Sequence, residues 1–310
     1  MSSPKPTSWS RLIRFIATED SKEHYGQPLD GDQDVGLCYS SGKVIKVRKL
    51  IGNGPLDPLS KLSEDQVLTV KQLLSPLSPN EVGAIRALGA NYAQGDEDLR
   101  EAKSKRPIIP ILFHKPPKAL SGPGQPILVP KLVENEADYE VELVVVISKD
   151  CKDVPPERAL DYVLGYTLSN DVSARKRMFS VHQWGLGKGF DGWLPIGPVL
   201  VSSSHRQGLR DPDNVDLRTK INGEVVQDGN TSRMLWACAE TISELSKGTT
   251  LEAGSIISMG TPPGEGFKKD PPRFLQDGDV CELWGGNGIG TLINPVRFQS
   301  RVGSPSRARL

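Results

Sequence analysis

The sequence predicts a β-rich α+β fold made of a small N-terminal unit followed by a larger one. Three observations carry this. Apolar runs of strand length recur along the chain, most of them bounded by Gly, Pro, Asn or Ser. Glycine and proline, at 31 and 25 residues, mark many tight turns. Helix-like spacing is confined to a few short segments.

In the N-terminal unit, Leu12-Ile13-Arg14-Phe15-Ile16 and Lys43-Val44-Ile45-Lys46-Val47 read as strands, broken by Gly26, Gly31 and Gly42. From Asp65 to Leu74, residues Val67, Leu68, Val70, Leu73 and Leu74 cluster on one helical face. Ser63 is placed to cap them, so a helix is expected there. Pro76, Pro79 and a Ser/Asn cluster then punctuate the chain. The expected division is a small domain over 1–80, a catalytic domain over 81–298 and a tail over 299–310. In the second unit, strands are expected over 140–147, 164–170, 199–202, 217–221, 224–227, 255–259, 280–283 and 290–293. Short helices are expected over 156–163 and 240–245. Asn222-Gly223 reads as a hairpin turn.

Composition narrows the function. Lys plus Arg and Asp plus Glu both number 38, giving a formal net charge of zero, so no charge excess recruits nucleic acid or an anionic membrane. No segment approaches the apolar length of a bilayer span, and Met1 to Ser10 lacks the apolar run of a secretory signal. The expected location is the cytoplasm. The terminal Ala308-Arg309-Leu310 has a small-basic-Leu pattern like a peroxisomal address, so the peroxisome, like the mitochondrion, stays open. Cys38, Cys151, Cys238 and Cys281 are too dispersed for a zinc pair or a redox motif and read as small core residues.

The most informative stretch is Asp138-Tyr139-Glu140-Val141-Glu142-Leu143. Side chains two apart on a strand share a face, so Glu140 and Glu142 point together. The strand continues into Val144-Val145-Val146-Ile147, an apolar run that argues burial on both faces. Buried like charges repel unless a cation or proton neutralises them. The alternative is a solvated strand end. Asp171, in Asn170-Asp171-Val172-Ser173-Ala174-Arg175, ends another expected strand. Three carboxylates without His or Cys select a hard divalent cation: magnesium or manganese before zinc, with calcium compatible. His24, His114, His182 and His205 lack metal-ligand spacing.

A second patch is Gln183-Trp184-Gly185-Leu186-Gly187-Lys188-Gly189-Phe190-Asp191. Lys188 among glycines is suited to meet a carboxylate or a developing enolate oxygen; alone, it reads as a surface lysine on a flexible loop. Gly260-Thr261-Pro262-Pro263-Gly264 follows a strand and offers a hydroxyl and backbone N–H groups; alone, it reads as a turn. The loop from Gln227 to Thr231 is either structural or lines the site.

In order and spacing these patches resemble the fumarylacetoacetate hydrolase superfamily over most of residues 84 to 297. The resemblance includes Gly89-Ala90-Asn91-Tyr92, Phe113-His114-Lys115-Pro116, Gly165-Tyr166, Gly197-Pro198, Asn222-Gly223-Glu224, Asn230-Thr231 and Gly290-Thr291-Leu292, besides the stretches above. Within the superfamily the chain is most similar to the branch of the domain-containing proteins and the 2-hydroxyhepta-2,4-diene-1,7-dioate isomerases. The resemblance implies a mixed β-roll fold, a homodimer and a divalent metal held by Glu140, Glu142 and Asp171. It also implies that Lys188 and Thr261 contact the substrate, with Gln183, Arg175 and Gly260 as further substrate-binding candidates. Family activities include hydrolysis of carbon–carbon bonds in diketo acids, decarboxylation of oxaloacetate and keto–enol tautomerisation. All use a metal as Lewis acid on a small keto acid or 1,3-dicarbonyl compound.

One departure matters. Family hydrolases carry a His, and a Glu three residues later, on a lid shortly after the Asn-Tyr pair. Here those positions fall on Gly95 and Asp98, and a slipped alignment puts Leu99 near the His position. Asp98 and Glu101 are candidates for the missing base, while Asp96 and Glu97 read as a solvated acidic loop. His24 is a candidate from elsewhere in the fold. Without an imidazole to activate water, the sequence favours enolate chemistry that leans on metal and lysine: tautomerisation, isomerisation or decarboxylation. Hydrolysis of an acylpyruvate or a biosynthetic diketone is the alternative, and a non-catalytic binding relative is a third.

Overall fold

The structure is a computed structural model describing residues 6–299. Residues 300–310, which include most of the expected tail and Ala308-Arg309-Leu310, lie outside the described residues.

The framework is a mixed sheet of eleven strands. Half of it runs, in spatial order, through Leu194–Ser202, Val163–Asn170, Val141–Ile147, Ile256–Ser258, Ile85–Gly89 and Ile111–Lys115. Arg11–Ala17 pairs antiparallel with Leu194–Ser202 and brings Glu23–Pro28, Lys46–Ile51 and Lys61–Leu74 into the same sheet. A five-stranded sheet packs against it, in the order Glu224–Asn230, Asp216–Ile221, Val280–Gly285, Gly290–Phe298 and Ile127–Val129. Helices are short, and no helix among the described residues is long and apolar enough to cross a membrane.

The strand Val141–Ile147 is the keystone of the packing. All seven residues are buried. Val141, Leu143, Val145 and Ile147 face one hydrophobic cluster, and Val144 and Val146 face another. A strand covered on both sides has no polar face, which explains its unbroken apolar run. Its neighbours pair with it through Leu143↔Leu168 on one side and Val145↔Ile257 on the other. The ends of the first two of these strands carry the acids described below, and the third ends beside them.

The expected helix over 65–74 is instead the second part of the strand Lys61–Leu74. The strand pairs with Lys46–Ile51 on one side and Arg11–Ala17 on the other. A bulge lies where the register moves from Ile16↔Gln72 to Ala17↔Val70. The extra residue shifts the inward parity, so Leu68 and Val70 precede an inward Leu73. That break in alternation imitates helical spacing, and ladder pairing on both edges overrides it. Ser63 closes a local turn, accepting from Gln66 N at 3.1 Å. The strand expected over 43–47 starts later, at Lys46, and runs to Ile51.

Other elements follow the sequence closely. Asn222 and Gly223, at φ 52° and 85°, turn the hairpin between Asp216–Ile221 and Glu224–Asn230. The helix Cys238–Ser246 covers the expected 240–245. The segment 156–163 is one α-turn, Pro156–Ala159, followed by a 3-10 turn, Leu160–Tyr162. The four cysteines are free, and three are buried.

Asn91 joins three segments beneath the site. Its Nδ2 donates to Met259 O at 2.7 Å and to Trp236 O at 3.1 Å, and its Oδ1 accepts from Trp236 N at 2.8 Å. It is 2% exposed, so removing the amide strands buried backbone groups. Asn91→Ala is expected to lower unfolding free energy by about 2–4 kcal/mol in a denaturant titration. A loss below about 0.5 kcal/mol would show that water replaces these bonds freely.

Candidate active site

Two strand ends deliver the acids, and a third backs them. Glu140 and Glu142 share a face with Val144 and Val146, by the two-residue period of the strand. The pairing of Val141 with Asn170 sets Asp171 beside Glu140, and Asp171 N donates to Glu140 O at 2.9 Å. Asn170 Oδ1 accepts from Glu140 N at 3.0 Å, which fixes the entry to the strand. One oxygen from each of Glu140, Glu142 and Asp171 lies within 4.8 Å of the others, and all three residues are buried.

The third strand, Ile256–Ser258, is followed two residues later by Gly260. Its N–H donates to Glu142 Oε2 at 2.9 Å. Gly260 has φ +85°, and a Cβ there would lie 2.8 Å from the Cβ of Asn91. Only glycine fits that close approach.

Cations surround the acids. Lys188 Nζ lies 2.6 Å from both Glu140 Oε2 and Asp171 Oδ2. Arg175 spans Glu140 Oε1 at 2.6 Å and Asp138 Oδ2 at 2.8 Å. Lys115 pairs with Asp171 Oδ1 and donates to Trp193 O at 2.8 Å. Burial alone works to raise Asp171, but Lys115 and Lys188 prevail and hold its carboxyl below the usual range. Burial works to lower Lys188, and Asp171 and Glu140 outweigh it, leaving the ammonium more firmly protonated than usual.

Glu142 is different. It has no cationic side chain in contact among the described residues. Burial, reinforced by the Asp171 and Glu140 carboxylates, pushes it well above the ordinary carboxylate value. The buried carboxylates Asp138, Glu140, Glu142 and Asp171 outnumber the buried cations Lys115, Arg175 and Lys188 by one. With all four ionised the site carries one negative charge in excess, which either a proton on Glu142 or a bound cation removes. A hard divalent cation fits that excess and the oxygen-only donors.

A cavity of about 590 Å³ opens beside the cluster. Glu140, Glu142, Lys188, Arg175 and Thr261 line its inner end. Two buried donors there have no hydrogen-bond partner among the described residues: Tyr92 OH and Arg175 Nη2. Buried donors are nearly always paired, so both point to a ligand or water. One wall is aromatic. Arg175 lies 4.3 Å over the Phe267 ring, and Phe267 meets Phe179 at 5.5 Å between centroids. Phe179 is 55% exposed, unusual for a phenylalanine with no burial to gain. Opposite, Trp184 packs on Phe113 and over Gly89, where a Cβ would lie 2.0 Å from the indole. A similar cavity of about 620 Å³, bordered by Trp9, Pro58 and Lys149, contains none of these acids.

The sequence-predicted residues divide. Lys188, Arg175 and Thr261 line the cavity, and Gly260 backs Glu142. Thr261 Oγ1 accepts from Gln227 Nε2 at 2.8 Å, so Gln227 is a buried structural residue that also orients Thr261. Gln183 is exposed and lies outside the cavity lining. Asp98 is the N-cap of the helix Leu99–Ser104, accepting from Arg100 N and Glu101 N at 3.0 Å each. Glu101 is exposed and pairs with Lys105 at 2.6 Å. Neither lines the cavity; Glu97 does. His24, in the strand Glu23–Pro28, pairs with Asp20 at 2.9 Å and does not line the cavity. Lys115 carried no sequence-based role. Its signal was alternation: two residues after the inward Phe113, it shares that inward face.

Comparison with known proteins agrees with this geometry. Residues 84–297 match the family described as fumarylacetoacetate (FAA) hydrolase C-terminal. A caffeoylpyruvate hydrolase from Neonothopanus nambi is 43% identical over 302 residues, covering 95% of each chain. A mitochondrial oxaloacetate tautomerase from Xenopus laevis is 34% identical, covering 95% of this chain and 92% of its own. Among solved structures, the fumarylacetoacetate hydrolase of Exiguobacterium antarcticum superposes with a TM-score of 0.76 at 31% identity, covering 94% of this chain and 100% of its own. On the matched family, the near full-length relatives and the shared fold, the chain belongs to the fumarylacetoacetate hydrolase family.

Proposed function

We propose that the chain is a divalent-metal-dependent hydrolase of an acylpyruvate, a 2,4-dioxo acid, with a bulky unsaturated or aromatic acyl group. The observation that carries this is the cavity. At about 590 Å³ it lies in the range of sites for drug-sized ligands, far larger than a four-carbon keto acid needs. Its aromatic wall runs outward from Arg175, itself paired to Glu140, to the exposed Phe179. The name of the Neonothopanus nambi relative supports the same substrate class.

Glu140, Glu142 and Asp171 would hold the ion, with magnesium or manganese matching the all-oxygen donors. Bound there, it supplies Lewis-acid polarisation of carbonyl oxygens. The chain's own groups do the rest. Arg175 Nη2 and Tyr92 OH offer unpaired donors to the anionic oxygens of the substrate. Lys188, kept charged by Asp171 and Glu140, stabilises the enolate released when the bond breaks. Thr261, oriented by Gln227, borders the same end. The family resemblance supports a homodimer.

A second reading is tautomerisation of a smaller keto acid such as oxaloacetate. It is favoured by the absence of histidine at Gly95 and by the name of the Xenopus laevis relative. The two readings share the acids and Lys188 and differ in whether water enters the product.

Three measurements test this. In heavy-oxygen water with Mn2+, benzoylpyruvate is expected to yield pyruvate and a labelled benzoate; unlabelled or absent benzoate, with rapid oxaloacetate ketonisation, selects the second reading. Glu142→Gln is expected to weaken Mn2+ binding by about 100-fold or more in calorimetry without loss of fold. Unchanged affinity removes the proposed metal centre. Phe179→Ala is expected to lower kcat/KM about tenfold for benzoylpyruvate while leaving acetylpyruvate within about twofold. An equal fall for both substrates would deny the aromatic wall its selective role.

A further inference from the structure

We infer that Glu97 is the group that activates water in this enzyme, in the place of the histidine its lid lacks. This rests on the hydrolytic reading above. Four carboxylates line the cavity among the described residues: Glu97, Glu140, Glu142 and Glu265. Glu140 and Glu142 belong to the charged cluster. Glu265 is committed, with Lys268 at 2.9 Å and Gly264 N donating to it at 3.1 Å. Glu97 alone keeps its oxygens free of short bonds. Gln94 N reaches Oε2 at 3.4 Å, and Lys105 Nζ stands 3.9 Å from Oε1.

The lid around it is built to hold that carboxylate inward. Between Gln94 and Asp98, only Glu97 is part-buried; the other four residues are exposed. Arg233 Nη2 donates to Glu97 O at 2.7 Å and to Gly95 O at 3.1 Å, fixing the backbone on both sides of Asp96. Gln94 Nε2 donates to Tyr92 O at 3.0 Å, and Lys268 Nζ donates to Gln94 Oε1 at 2.9 Å, tying the lid across the mouth. Beside it, Gly95 has φ +47°, and nothing lies within 4 Å of where a Cβ would stand. The Glu97 side chain is itself 33% exposed, so water reaches its carboxylate. The neighbouring acids are spent elsewhere: Asp98 on the helix cap and Glu101 on Lys105.

In the step assigned to it, Glu97 takes one proton from water as the water oxygen bonds to the distal carbonyl carbon. The bond from that carbon to the methylene then breaks, and its electron pair passes to the pyruvate half as an enolate. Glu97 returns the proton to the methylene carbon. One water is consumed, and one carboxylic acid and one pyruvate are formed, with no oxidant or reductant. Lys105, which caps the helix Leu99–Ser104, is the one cationic side chain within 4 Å of the Glu97 carboxylate among the described residues, while Arg106 of the same cavity is engaged by Glu240 and Leu235 O.

The test uses the full-length protein with Mn2+ and benzoylpyruvate. Glu97→Gln is expected to lower kcat by about 100-fold or more. Inhibition by oxalate, a mimic of the pyruvate enolate, is expected to stay within about threefold, because the inner end is untouched. Added formate is expected to restore part of the rate of Glu97→Ala in proportion to its concentration. Hydrolysis by Glu97→Gln within about threefold of the wild type overturns the assignment. So does a parallel loss of oxalate binding and rate, or failure of formate to act on a folded, oxalate-binding Glu97→Ala. A wild-type enzyme that binds oxalate yet never hydrolyses overturns the hydrolytic reading itself, and Glu97 with it.

Discussion

The structure turns on like charges forced together out of water. Glu140, Glu142 and Asp171 stand at the ends of adjacent strands that are buried throughout, so the acids cannot retreat into solvent. Such an arrangement is strongly unfavourable unless cations answer it. Lys188, Arg175 and Lys115 answer most of it, each from a different segment: the turn Gly185–Lys188, the turn Arg175–Phe179 and the strand Ile111–Lys115. The chemistry and the fold are therefore one electrostatic problem. The charges that would grip an ion are also those that knit these segments to the central sheet.

This division of labour explains how the site is graded from inside to outside. At the inner end every acid is held by a backbone donor or a buried cation. The outer wall is aromatic and partly exposed, suited to a ring but demanding no single orientation. Buried polar atoms thus set how the substrate's oxygens are gripped, and surfaces facing water set the substrate range.

What was legible in the sequence follows the same gradient. Glu140, Glu142 and Asp171 could be found because a strand imposes a two-residue period and an all-apolar run announces burial. Lys188 could be noticed but not placed, since nothing local shows that a glycine-rich loop folds onto two carboxylates. Lys115 was within reach through its spacing from Phe113. The acidic lid misled: Asp98 looked available, but helix initiation at Leu99 consumed its carboxylate, and Glu97, one residue earlier, faced inward. The helix expected over 65–74 failed for a related reason. A bulge shifts strand parity by one residue, and only the partner strand reveals it.

The grip of Arg233 on the lid has a broader consequence. It holds Gly95 and Glu97 by their carbonyl oxygens, atoms that every amino acid possesses. The fastening is blind to the side chains it positions. The side chain at position 97 can be exchanged without unlatching the segment, whereas Gly95, at φ +47°, favours glycine, so the chemistry offered from above the pocket is replaceable while the fastening is not. A fold fastened this way can retool its reacting group and keep the same door.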